Sequence, residues 1–143
     1  MNARRIMLGG LIAGLLMVVL DSVTNAVILK SAWDAAYARL HLSPSDGAVA
    51  AFWTTFDLVS GILIAFLYAA MRPRFGPGPK TAVIAALVQW LVLHMTFASH
   101  VVDGVFPAGT LVEAGILELV SAVAGGLLAG KLYQEAPNAE RAR

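Results

Sequence analysis

Four side chains able to do chemistry stand inside otherwise apolar stretches of this 143-residue chain: Asp21, Asp57, His94 and Glu118. Glu113 is a fifth, nearer the end of its stretch, and Asn25, Thr54, Gln89 and His100 accompany them. An ionisable group within an apolar span is costly and by default marks a function. Carboxylates turned toward one another can hold a proton, a cation or an amine-bearing ligand, and an imidazole adds a group that titrates near neutrality. The candidate ligand- or proton-binding residues are therefore Asp21, Asn25, Asp57, Glu118 and His94.

Depth and helical face support that grouping. With a rise of about 1.5 Å per residue, Asp21 falls roughly 5 Å outward of the middle of its apolar run. By the same arithmetic Asp57 and His94 come within about 5 Å of the middle on that side, and Glu118 falls near it. The four groups, one per run, are thus expected at nearly one level. At 100° per residue, Gly10, Gly14, Asp21 and Asn25 form one stripe. Ala50, Asp57, Gly61 and Tyr68 form a second, with Thr54 beside it. Ala114, Glu118, Ala122, Gly125 and Ala129 form a third. Small residues mark close helix packing in lipid, so the acids are expected to face the bundle interior. The third run is less regular: Gln89, Thr96 and His100 share a face, and His94 lies round from it with Trp90 and Phe97.

A purely structural use of the same residues competes with this. Protonated and hydrogen-bonded to Asn25, Thr54, Ser60 or Ser121, the acids would serve as packing groups, because a neutral bonded polar group is tolerated in an interior. His94 has the same alternative. As a haem or chlorophyll ligand it would need an open partner face. Carboxylate-plus-imidazole sets suit zinc, manganese or iron, but no paired local spacing supports a metal site, and no cofactor is assigned. Catalysis finds little support, since the serines have no serine–histidine–acid spacing. The Gly76-Pro77-Gly78 segment lacks the spacing of a phosphate-binding loop.

The elements that must position these residues follow from composition. Hydrophobic residues make up 59% and charged residues 13%, against about 25% charged in soluble domains. This is the composition of a polytopic membrane protein with a single domain. The net charge of +1, with cations scattered over loops and tails, excludes a nucleic-acid footprint. The absence of cysteine excludes disulfides, thiol redox relays and cysteine-ligated metals.

Four apolar runs, residues 6–29, 48–71, 81–102 and 108–130, are each near the ~20 residues that cross a bilayer core. The first, behind Arg4 and Arg5, has a signal peptide as its competing reading, with Thr24-Asn25-Ala26 as cleavage site. It exceeds the usual apolar core of about 7–15 residues and reads as a span. Residues 31–41, with Trp33, Tyr37 and Leu40 on one face, read as a short interfacial helix. Ser43 is expected as the cap of the second span, with Pro44 as its first residue. Pro73, Pro77 and Pro79 are expected to break the helix between the second and third spans. Asp103-Gly104 makes a tight turn, and residues 131–143 form a charged tail.

Eight cations (Arg4, Arg5, Arg72, Arg74, Lys80, Lys131, Arg141, Arg143) fall on one side and two (Lys30, Arg39) on the other. The positive-inside rule then places both termini in the cytoplasm. Arg72, Arg74 and Lys80 mark topology and suit anionic lipid headgroups. The fold class is all-α, a four-helix transmembrane bundle.

Residues 68–82, YAAMRPRFGPGPKTA, followed by Trp90, resemble a signature of uncharacterised small bacterial four-span integral membrane proteins. The Gly-rich first helix with Asp21, the internal Glu118 and the closing Leu132-Tyr133 are similar to theirs as well. The resemblance implies the fold and a bacterial inner-membrane location, and no activity. Two functions follow as expectations. One is a binding or transport module, homo-oligomeric, using Asp21, Asp57 and Glu118 for a proton, cation or small polar ligand. The other is a non-catalytic accessory subunit packed in a larger membrane complex.

Overall fold

A computed structural model describes residues 1–134; residues 135–143 of the expected tail lie outside the described residues. The chain forms five α-helices, α1 (Ala3–Val23), α2 (Lys30–Arg39), α3 (Asp46–Phe75), α4 (Pro79–Val102) and α5 (Ala108–Leu132), with no strand among the described residues. A π-helical segment, Thr24–Ile28, continues α1. Four helices are long and apolar enough to cross a membrane: Ala3–Ile28, Asp46–Phe75, Pro79–Val102 and Ala108–Leu132. In the bundle α1 and α4 occupy opposite corners, each packed against α3 and α5, and α3 meets α5 across the middle.

Glycines set the helix register. A Cβ added to Gly61 of α3 would run into Gly14 N and Gly10 O of α1. A Cβ on Gly14 would lie 2.7 Å from Leu58 Cα and 2.8 Å from Asp57 O. The two backbones are therefore in direct contact, the close approach that small residues allow in lipid. On α5, Gly125 faces Met17 of α1 and Gly126 faces Ala86 and Ala82 O of α4. Neighbouring glycines thus seat α5 against two helices at once. Bulky apolar side chains such as Leu15, Val19, Leu91, Val92, Ile116 and Val120 point outward, as a lipid-facing surface requires.

The helix ends depart from the expected boundaries in three places. Residues 42–45 are extended or irregular and α3 begins at Asp46, with Ser45 in the cap position but no side-chain cap bond. Ser43 and Pro44 thus precede the helix, and its cap position falls two residues later than expected. Pro73 lies inside the last turn of α3 rather than ending it. There it removes one late hydrogen bond only, and the chain turns instead at Gly76 and Gly78, with φ of 83° and 127°. Pro79 is the first residue of α4, where its missing N–H is not needed.

The ends are tied by specific bonds. On the side of the N-terminus, Tyr133 Oη accepts from Asn2 N at 3.1 Å and Tyr68 Oη accepts from Gly78 N at 3.2 Å. The two rings meet edge-on at 5.9 Å, and the Arg72 guanidinium lies 5.7 Å from the Tyr133 ring centre. At the other end α2 and α4 both stop with paired 6→1 and 5→2 bonds: Leu42 N to Tyr37 O and His41 N to Ala38 O; Val105 N to His100 O and Gly104 N to Val101 O. Trp33 and Tyr37 of α2 pack edge-on against Phe106, and Arg39 donates to Val105 O at 3.1 Å. The aromatic face of α2 is thus turned onto the 103–107 connection.

Candidate functional site

His94 is the best-positioned chemical group in the bundle. Trp90, one turn earlier, stacks on the imidazole with ring centres 4.6 Å apart. The indole N–H donates to Gly115 O of α5 at 2.9 Å, which clamps α4 to α5 at this point. Gly115 leaves room for the imidazole: a Cβ there would lie 3.0 Å from His94 Cδ2. The ring is then held from both nitrogens. Nδ1 is 2.9 Å from Trp90 O and Nε2 is 3.2 Å from Glu118 Oε2.

These two contacts define the proton inventory. A carbonyl oxygen only accepts, so Nδ1 carries a proton. Nε2 and Oε2 are close enough to share one further proton, as imidazolium with carboxylate or as imidazole with carboxylic acid. Both forms are neutral overall. The pair is half-buried, with side chains 17% and 27% exposed.

Two more carboxyls belong to the same electrostatic unit. Asp21 interacts through space with Asp57 and with Glu118, and Asp57 with Glu118. Asp57 is 7% exposed. The helix register places them as a ladder rather than a ring. Gly14 lies on the backbone of Asp57 and Leu58, so Asp57 stands six to seven residues, roughly 10 Å, inward of Asp21. Side chains on a helix lean toward its N-terminus. In this antiparallel pair Asp21 leans inward and Asp57 outward, and the carboxyls converge.

Ser121 of α5 lies beside Asp21. The antiparallel pairing of Gly125 with Met17 puts Ser121 opposite Asp21 one turn further out. The hydroxyl stops short of hydrogen-bond geometry: Ser121 Oγ and Asp21 Oδ1 are both buried and neither has a hydrogen-bond partner.

The remaining predicted residues divide. Asn25 sits in the π-helical segment and bridges a backbone carbonyl and an indole: its amide donates to Asp21 O at 3.1 Å and its oxygen accepts from Trp33 Nε1 at 3.0 Å. It links Asp21's turn to α2 rather than lining the acids. Thr54 and Glu113 are exposed, and His100 stacks on Phe106. Arg74 and Lys80 are exposed at the end that carries the N-terminus. Among the described residues no three histidine, aspartate or glutamate side chains are grouped as metal ligands.

The chain matches no family model, no curated protein and no solved structure. The chemistry therefore rests on the side chains themselves. Trp90, Gly115 and Ser121 are the members of the site that composition alone passes over. The i, i+4 spacing of Trp90 and His94 is the signal that could have flagged the first.

Proposed function

We propose that this protein is a small inner-membrane binding or transport module whose intramembrane acidic site takes a proton, a cation or a small polar ligand. The observation that carries the reading is the Asp57–Asp21–Glu118 sequence of carboxyls ending on His94. Each of the four long helices contributes one member. Among the described residues, neither Asp21 nor Asp57 has a cationic side chain to neutralise it. Ionised groups without partners are expensive in a low-dielectric interior, so a mobile positive species is the natural counterpart.

In this reading both termini are cytoplasmic, as the eight-to-two cation count favours. The acids then lie in the outer half of the bundle, beneath the interfacial helix α2. Four helices enclose little space for a transport path, which favours a homo-oligomer.

The test is a proton or cation response in proteoliposomes, read with an internal pH dye under an imposed gradient. Asp57→Asn and Glu118→Gln retain helix content and lose the response. If both variants respond like the unaltered protein, the acids are packing groups and the reading fails.

A further inference from the structure

We propose that Asp21, Asp57, Ser121 and Gln89 form an oxygen-donor site for a monovalent alkali cation, such as Na+, that exchanges with a proton. This rests on the acidic-site reading above and names its occupant.

Three observations carry it. First, Ser121 is 1% exposed, faces Asp21 across the α1–α5 contact, and its Oγ has no hydrogen-bond partner. Buried hydroxyls are nearly always bonded, so an unsatisfied one directed at an equally unsatisfied carboxylate oxygen points to a third group between them. Second, Gln89 of α4 is buried, at 5% exposed. It lies one turn outward of Ala86, which packs on Gly126 of α5. Ser121 is just over one turn outward of Gly126, so Gln89 and Ser121 share a level. Third, Glu118 is matched by His94 at 3.2 Å, which leaves Asp21 and Asp57 as the carboxyls of the cluster with no basic side chain beside them among the described residues.

The donor set selects the ion class. Two carboxylates with a hydroxyl and an amide oxygen are hard ligands, suited to an alkali cation rather than a transition metal. Charge sets the stoichiometry. With both carboxyls protonated the site is neutral. When Na+ enters, one carboxylic O–H bond breaks, the proton passes to water and a carboxylate–Na+ contact forms, so the site stays neutral.

The experiment uses the full chain in nanodiscs, titrated with NaCl against choline chloride at constant ionic strength in weak buffer. The readings are protons released and fluorescence of Trp90, which stacks on His94. Saturable release of about one proton per chain is expected, as neutrality demands. Asp21→Asn abolishes it. Ser121→Ala, a change small enough to keep the fold, shifts the midpoint at least about tenfold toward higher Na+, the usual cost of losing a supporting ligand. If Na+ releases no proton while proteoliposomes still respond to a pH gradient, the site holds protons only; the cation proposal falls and the proposed function stands. If both responses are missing, both fall. Release that is unchanged in both variants places the cation elsewhere and overturns the proposal.

Discussion

His94 Nε2 lies 3.2 Å from Glu118 Oε2 while His94 Nδ1 is turned to the Trp90 carbonyl at 2.9 Å. A histidine held this way has one nitrogen committed to the backbone and one engaged with a carboxyl. The proton between them can move without changing the charge of the pair. Removing either partner is therefore unequal in its effects.

Glu118→Gln replaces the acid with an amide that can still donate to Nε2, so the contact survives. His94→Ala leaves the carboxyl without its partner, at about 1–3 kcal/mol. Unfolding of both variants in mixed micelles should show the histidine change as the more destabilising. Equal stability would mean that the pair contributes nothing to holding α4 on α5.

Gly115→Ala tests how the imidazole is seated. Its new Cβ would meet His94 Cδ2 at 3.0 Å, so the ring must shift from Glu118. The histidine NMR shifts and the Trp90 fluorescence should change together, with a loss of about 1 kcal/mol from the crowding. Unaltered spectra would place the ring elsewhere.

Gly61→Val should separate α1 from α3, since the glycine's missing Cβ points at the backbone of Gly10 and Gly14. The expected cost is at least about 1–3 kcal/mol. Gly109→Ala is the control: nothing lies within 4 Å of its Cβ, and it should leave stability unchanged or raise it by up to about 1 kcal/mol. Thermal unfolding followed by size-exclusion chromatography distinguishes them. Similar losses in the two would contradict the interlock.

Lys30 donates to Asp34 at 2.8 Å, and this hydrogen bond raises its pKa above the usual lysine value of 10.5. A raised folded-state pKa contributes stability that is fully present below the unfolded value and is lost as pH rises through the folded one. Alkaline titration should thus loosen α2 only above the ordinary lysine range, with no change near neutrality. Both side chains are exposed, so Lys30→Gln should leave global unfolding nearly unaltered. A marked loss at neutral pH would show that α2 is anchored by this pair rather than by Trp33, Tyr37 and Arg39.

Tyr133→Phe removes the acceptor for Asn2 N while keeping the ring against Tyr68. A loss of about 0.5–1.5 kcal/mol is expected, the net worth of one hydrogen bond. Faster hydrogen exchange confined to the first turn of α1 is its signature. Exchange that is unchanged there would mean the bond is not made.

What the sequence determined by itself was the set of apolar spans and the ionisable group on each, an acid on three and His94 on the third in order. Hydropathy and helical period are properties of neighbouring residues, so Gly10 and Gly14, Gly61, and Gly125 could be placed on packing faces before any contact was known. The helix between the first and second spans was legible for the same reason. Tertiary structure decided what required two elements at once. The antiparallel glycine register set Asp57 about two turns inward of Asp21, because backbone contact, and not distance from each span's middle, fixes relative depth. The meeting of His94 with Glu118 depended on the Trp90–Gly115 clamp between α4 and α5. Asn25, on the same stripe as Asp21, was diverted to the Asp21 carbonyl and the Trp33 indole within the π-helical segment, whose wider turn takes the residues after Val23 off the regular helical period. Pro73 was absorbed into α3 because a late proline sacrifices one bond only, and Gly76 beyond it was free to make the turn.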